Sequence, residues 1–308
     1  MMGTEPGTVV ADLHTHTTAT DGRATAETVI MDAARAGLRY LTITDHSVVT
    51  FDGLATFAAR HGVTIPFPGA EVSTYHGHRK HHILVYGTGL LEPRFQQYLS
   101  MPNDAKTRVA DATRQALVDA GHDLPALDTI RRNANGPGQP TPEKRVVSRS
   151  AIARHLMVSS GLTTEDARDR VVTTYQRVDE VDRDGRDRLA ARYLPTLQVI
   201  REATDRGLFT SLAHPLWECR STADVLALCD EVRTMRDCGL GAMESRSYHH
   251  RRWDDHPALL STRQRLGLLS SGGSDYHANG KTTLGVGGLP EDAFLELAAQ
   301  VPGACTDV

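Results

Sequence analysis

The chain has 308 residues, with 34 Lys+Arg against 38 Asp+Glu and 40% hydrophobic residues. That balance excludes an intrinsically disordered chain and gives no overall attraction to nucleic acid or an anionic membrane surface. The length suits one large barrel-type domain or two ordinary ones.

In chain order, 8–13 reads as a short β-prone run ending at His14, and 25–37 as a helix with an apolar stripe, stopped by Gly37. A second strand over 40–44 runs into Asp45-His46, a helix follows over 51–61, and 63–72 is a third strand broken by prolines. A fourth strand spans 82–86. This βαβαβ order predicts parallel strands with right-handed crossovers. From about Glu92 to Arg192 the rhythm changes to helices, expected over 104–120, 148–159 and 163–178, with a polar loop at 133–142. Then βα alternation returns: helix 195–206, strand 208–213 into His214-Pro215, helix 222–237, strand 240–243 into Glu244, helix 257–265, and strand 266–271 into Gly272-Gly273-Ser274-Asp275-Tyr276-His277. The expected organisation is an α/β barrel domain, 1–92 with 194–308, interrupted by a helical insert domain at 93–193.

The four cysteines, Cys219, Cys229, Cys238 and Cys305, form no C-x-x-C pair and suit a reduced, cytoplasmic setting. No apolar run approaches the roughly 20 residues of a membrane span, and the first six residues do not read as a secretory signal. No obligate protein partner is inferred. Histidine, in contrast, occurs 15 times, about twice ordinary usage, and beside carboxylates. His14 and His16, Asp21, His46, Glu71, His82, His214, and Asp275 with His277 all fall at strand ends. In a barrel of parallel strands those ends share one rim, so the side chains should converge. His14 and His16, two apart on a strand exit, can point at one ion with Thr15 turned away. Imidazoles and carboxylates without Cys suit Zn²⁺, Mn²⁺ or Fe²⁺. Any one of these motifs is also an ordinary loop, cap or turn; their recurrence at successive strand ends points to metal.

The ordered motifs DLHTHTTATDG, TITDH, GAEVST, HHILVYG, LAHP and GGSDYH resemble those of the PHP (polymerase and histidinol phosphatase) phosphoesterases. The resemblance covers about 9–91 and 208–289 and implies a distorted seven-stranded (β/α) barrel with a trinuclear metal centre. By position, it implies that His14, His16, Glu71 and Asp275 hold one ion, that Glu71 bridges to a second completed by His82 and His214, and that Asp21, His46 and His277 hold the third. Asp21 stands where members often have His; a carboxylate there favours Mn²⁺ or Fe²⁺ over Zn²⁺, and Mn²⁺ is expected foremost, with Fe²⁺ or Zn²⁺ as the other candidates. Within the family the insert is similar to that of the TrpH-like, RNase AM branch. Arg149 in the stretch 148–156 matches that branch's motif, whereas Ala151 stands where close members have His. Those relatives shorten RNA from its 5′ end and dephosphorylate 3′,5′-bisphosphonucleotides.

The implied activity is phosphoester hydrolysis by a metal-bridging hydroxide, on a nucleotide, a short RNA or another small phosphorylated molecule. Glu71 is expected at the catalytic centre. Asp45 and His249 are read as helpers for the leaving group, Asp45 equally as an orienter of a His ligand. Arg145 and Arg149 on the insert, and Arg246, His249 and His250 after the Glu244 strand, are expected to contact substrate, Arg149 also at the reacting end. A solvated helix face is the competing reading for the insert cations. The alternatives in function are a small-metabolite phosphatase of the histidinol-phosphatase type and a metal-dependent hydrolase of another class.

Overall fold

Residues 9–15 (VVADLHT) begin with adjacent valines and bury every position from Ala11 onward, as a strand covered on both faces should. They form β1 (Val9–Thr15) in a computed structural model that describes residues 8–138, 147–181, 192–247 and 257–306, and of 179–181 and 246–247 the backbone only. Helix α1 (Ala26–Arg35) starts where the Thr25 hydroxyl accepts the Thr28 N–H. It buries Ala26, Val29, Ile30 and Ala33, and ends before Gly37 at φ +76°. Strand β2 (Tyr40–Ile43) then pairs in parallel with β1.

The next stretch departs from the expected parallel order. Pro66 and Pro68 lack the N–H a ladder needs, so β3 (Gly69–His76) begins only after them and runs on past Glu71. A tight turn at Gly77-His78 leads straight into β4 (Arg79–Tyr86), antiparallel to β3 with Glu71 opposite Leu84 and Ser73 opposite His82. β4 is also antiparallel to β6 (Phe209–Leu212), and parallel order resumes through β7 (Ala242–Ser247) and β8 (Leu269–Gly273). One sheet has the order β5-β3-β4-β6-β7-β8, where β5 is Leu194–Pro195. The other has the order β2-β1-β9, where β9 is Leu289–Pro290 and antiparallel to β1. The two sheets abut twice. Gly273 of β8 sits so close to His14 that a Cβ there would lie 2.6 Å from the His14 amide nitrogen. On the other side, Ser47 N–H donates to the Glu71 carbonyl at 2.8 Å. Among the described residues the two ladders do not join into one closed barrel; the fold is mixed α/β, with strands of both directions around a shared interior.

Helices α2 (Leu54–Arg60), α7 (Thr196–Thr204), α8 (Thr222–Asp237), α9 (Pro257–Arg265) and α10 (Glu291–Ala298) complete this part. α2 starts three residues later than its apolar pattern, after Gly53 in the left-handed region. α8 opens with a reciprocal Ser221–Asp224 capping box. Between β4 and β5 lie α3 (Pro93–Asp119), α4 (Leu127–Arg132), α5 (Arg149–Ser160) and α6 (Thr164–Val181). α3 is longer than its pattern because it runs through Pro102 back to Pro93. These helices share a hydrophobic cluster that includes Leu117, Ile130, Ile152, Leu156 and Val171. Ala151 belongs to that cluster and is fully buried, so its side chain packs inside the insert instead of facing substrate. No described helix is long and apolar enough to cross a membrane.

Candidate metal centre

Glu71 is the hub. Its carboxylate is 1% exposed and lies within 3.4 Å of five imidazoles: His14, His16, His46, His82 and His214. Four parts of the chain bring them there. His14 in β1 and His16 just beyond it point to one side, while the Thr15 hydroxyl turns away and donates to the Thr42 carbonyl at 3.0 Å. His46 follows β2, and its backbone bridges directly to Glu71. His82 is diagonal to Glu71 across the antiparallel pair, on the same face, and its Nδ1 is 2.7 Å from Glu71 Oε1. His82 therefore reaches the site from the start of a reversed strand and not from a parallel strand's C-terminus. His214 follows β6 at φ +26°, and Asp275 follows β8 at φ +52°. Both occupy a left-handed conformation costly for non-glycine residues, the kind of strain that persists where surroundings fix a functional side chain.

Three sets of ligand atoms lie within 4.8 Å of one another: His14, His16, Glu71 and Asp275; His16, Asp21, His46 and His277; and His46, Glu71 and His82. His46 faces both sides, 3.1 Å from Glu71 and 3.4 Å from Asp21, where the resemblance gave it to one ion only. His214 contacts Glu71 at 3.0 Å, although the third set does not include it.

The electrostatics and the hydrogen bonding both ask for cations. His14 Nε2, both ring nitrogens of His16, His46 Nδ1 and Glu71 Oε2 are buried without a hydrogen-bond partner, a cost of about 1–3 kcal/mol apiece if nothing met them. Burial pulls the His14 imidazole down, but Glu71, Glu244 and Asp275 outweigh it and hold it well above its ordinary value. Burial is likewise outweighed at His16, which Asp275 and Glu71 raise to about 10. At His82 burial wins over Glu71 and the value falls to about 4. Burial would raise Glu71, yet His82, His46 and His14 keep its carboxyl well below the usual range. Protons on His14 and His16 are thus the positive charge this wall of carboxylates attracts. Divalent ions supply that charge and meet the orphaned lone pairs at once, so the residues fit a metal cluster.

The sequence reading missed the residues that support these groups. Glu244 is fully buried; its Oε1 takes the His14 Nδ1 hydrogen at 2.9 Å, and its Oε2 accepts the His214 amide at 2.5 Å. That leaves His14 Nε2 free to face a metal. Glu244 did end its strand by pattern, but its type alone did not separate an orienter from a ligand. Asn103 of α3 donates to the His46 carbonyl at 2.7 Å. Asp45 corrects an expectation. Its two oxygens accept the Thr17 amide at 2.9 Å and the Thr17, Thr20 and Thr50 hydroxyls at 2.6, 2.6 and 2.7 Å. It touches no imidazole in those bonds and has no lone pair to spare for a leaving group; it pins the loop that carries Asp21.

Beside Asp21 and His46 opens a cleft of about 270 Å³. Lys80 and Lys106 lie over the Tyr193 ring at 5.5 and 6.0 Å, and Arg149 and Arg192 over the Tyr175 ring at 5.1 and 5.4 Å. Burial lowers the Lys106 ammonium, Asp21 and Glu71 oppose that, and Lys80 and Arg192 lower it further. Of these cations only Arg149 had been expected at the site. Arg145, His249 and His250 lie outside the described residues, as does the Arg246 side chain. His81, one step from His82, faces the other way and meets Glu231 at 2.9 Å.

Two curated proteins align over nearly the whole chain. One is the phosphoribosyl 1,2-cyclic phosphate 1,2-diphosphodiesterase of Eggerthella lenta, 27% identical over 87% of this chain and 94% of its own. The other is the 3′,5′-nucleoside bisphosphate phosphatase of Chromobacterium violaceum, 28% identical over 90% of each. This chain is similar to phosphoesterases over nearly its whole length. The 5′-3′ exoribonuclease Rnm of Escherichia coli is 30% identical over 42% of this chain and 44% of its own. A solved structure described as a metal-dependent phosphoesterase of Bifidobacterium adolescentis has the same fold, with TM-score 0.71, 23% identity and 96% and 98% coverage. So has a Chromobacterium violaceum protein described as an amidohydrolase, solved with bound sulfate and no metal, with TM-score 0.68, 26% identity and 94% and 96% coverage. No protein-family model matches the chain.

Proposed function

We propose that the protein hydrolyses phosphate esters of nucleotides, of the 3′,5′-bisphosphonucleotide or short 5′-phosphorylated RNA kind, at a centre of three divalent ions with manganese foremost. In this reading His14, His16, Glu71 and Asp275 hold one ion. Glu71 shares itself with a second held by His82 and His214, and Asp21, His46 and His277 hold the third. In the same reading the two sheets are parts of a distorted seven-stranded (β/α) barrel, and 93–193 is its helical insert domain. The observation that carries it is the set of buried, unpartnered ligand atoms around Glu71, next to a cleft walled by cations and tyrosines. The names of the two near-full-length relatives support a phosphorylated, ribose-bearing substrate.

Bound divalent ions supply Lewis acidity to phosphoryl oxygens and lower the pKa of water so that it can attack phosphorus at neutral pH. The protein does the rest. Glu244 fixes which His14 nitrogen faces the centre, and Asp45 and Asn103 hold the Asp21 and His46 loops. Lys106 Nζ, 3.3 Å from Ser73 Oγ, offers an N–H toward the same cleft. Arg149 presents a planar guanidinium for a phosphate that the centre does not hold.

A panel run with Mn²⁺ tests the reading: a 3′,5′-bisphosphonucleotide, a 5′-phosphorylated short RNA, histidinol phosphate and a peptide-like amide. Nucleotide substrates should have the highest kcat/KM. Preference for histidinol phosphate would replace the reading with a small-metabolite phosphatase, and amide hydrolysis without phosphate release would overturn it.

A further inference from the structure

A second cleft leaves the centre on the other side of Arg149. It has a volume of about 470 Å³ and runs from Asp21, Asp275 and His277 to Arg154 and Arg168, past Lys281. At its far end lies a smaller hollow of about 220 Å³ that Arg23, Arg154 and Arg168 share with Met157 and Thr164 and no carboxylate. The three arginines come from distant parts of the chain. Arg23 follows the Asp21 loop, and its amide donates to the His277 carbonyl at 2.9 Å, so it is tied to the centre. Arg154 projects from α5 and Arg168 from α6.

Bringing three guanidiniums together without an acid opposes folding. Among the described residues none of the three pairs with a carboxylate, whereas Arg35, Arg39, Arg114, Arg206 and Arg233 all do. Arg154 is half-buried, and its guanidinium is lowered by that burial and further by Arg23 and Arg168. Planar forks gathered at one hollow suit a phosphate, which accepts several charge-assisted hydrogen bonds at once.

We propose that Arg23, Arg154 and Arg168 form a second anion site, which takes a phosphate of the substrate chain beyond the one being hydrolysed. The inference rests on the phosphoesterase reading and narrows it. The protein would act on a nucleotide chain held by its backbone, the reacting phosphate at the Glu71 centre and a neighbouring phosphodiester at the arginines. The cleft gives the chain a continuous path from Asp275 and His277 to Arg168. Since the grip is on phosphate, it reads no base.

The test uses the Mn²⁺-loaded protein with p-nitrophenyl phosphate as reporter. The inhibitors are a nucleoside 5′-monophosphate and a 5′-phosphorylated trinucleotide with uncleaved phosphorothioate links. In the wild type the trinucleotide should inhibit at least about tenfold more tightly than the mononucleotide, as one or two charge-assisted bonds allow. Arg154→Ala/Arg168→Ala should erase most of that difference and flatten the dependence of log Ki on log salt by roughly 1. Arg168→Ala alone, at an exposed residue that threatens no packing, should remove at least threefold of it. Equal weakening of both inhibitors, or an unchanged trinucleotide, would overturn the proposal. Calorimetry with inorganic phosphate covers the other source of the same chemistry. Phosphate binding that the double variant loses, with no wild-type preference for the trinucleotide, would make this a free-anion site and also overturn the proposal. A wild type that hydrolyses no phosphoester at all would instead sink the functional reading itself.

Discussion

The strand-borne wall and the insert-side clefts of this protein are built on opposite terms. In the wall, Glu71, His14 and His16 are buried and meet between β1 and β3, and Glu244, which orients His14, is as buried as they are. In the clefts, Arg23, Arg149 and Arg168 are exposed, reach in from loops and helices, and make cation–π or no described contacts. The lesson is one of rigidity. A site that concentrates like charges must be held by packing that cannot relax, whereas a surface that selects among substrates needs charge and reach. Changes in the wall should therefore cost turnover and metal, and changes in the clefts should cost affinity for particular substrates.

The sharpest break is Glu71→Ala. It removes the carboxylate shared by five imidazoles, so kcat should fall by about three orders of magnitude or more, since ΔΔG‡ of ~4 kcal/mol is that factor. Elemental analysis should find at least one divalent ion fewer per chain than in the wild type, and full metal content with full activity would demote Glu71. Glu244→Gln comes next. It keeps the shape but loses the charge that fixes His14, and should weaken metal affinity by about 10–100-fold, measured by competition with a chromophoric chelator. A loss of thermal stability with no change in metal affinity would make Glu244 a packing residue only.

Crossing to the clefts, Arg149→Ala should raise KM for a 3′,5′-bisphosphonucleotide about tenfold, for one lost charge-assisted bond of ~1.5–3 kcal/mol, while leaving metal content unaltered. An equal fall in kcat would move Arg149 into the reacting end. The smallest functional effect is expected of Ala151→His. Ala151 is sealed in the insert cluster, so a larger polar ring should lower stability by roughly 1–3 kcal/mol and leave KM for the bisphosphonucleotide within a factor of two. A gain in nucleotide affinity would mean that position 151 faces substrate after all.

The motifs foretold which side chains meet. H-x-H at the end of β1, Asp-His after β2 and Asp-x-His after β8 encode their convergence locally, because a strand end fixes both the direction and the spacing of its side chains. The same logic misread β4. Two strands joined by the Gly77-His78 turn look, in sequence, like two parallel strands with a lost helix; only the pairing partner reveals the reversal. His81 and His82 illustrate the consequence, one facing Glu231 on the opposite side of the strand and one facing Glu71. The short β9 was missed because two residues carry no periodicity, and the eight-residue α10 after it was missed as well. Asp45 was misjudged because its three hydroxyl partners lie up to 28 residues away.

What the sequence determined by itself is which His, Asp and Glu side chains gather around Glu71 and, through them, the class of chemistry. His, Asp and Glu at strand ends offer ligand atoms, and alternation along a strand aims them without help from the rest of the chain. What only the tertiary structure decided is everything that depends on charge meeting charge across distance: Glu244 behind His14, Lys106 beside Asp21, and the unpaired arginines at the end of the second cleft. A lysine or arginine on a helix reads as a solvated face until packing removes its water and its acidic partners. Here, among the described residues, no carboxylate pairs with Arg23 or Arg168, as far apart in the chain as they are, and Arg154 beside them is half-buried.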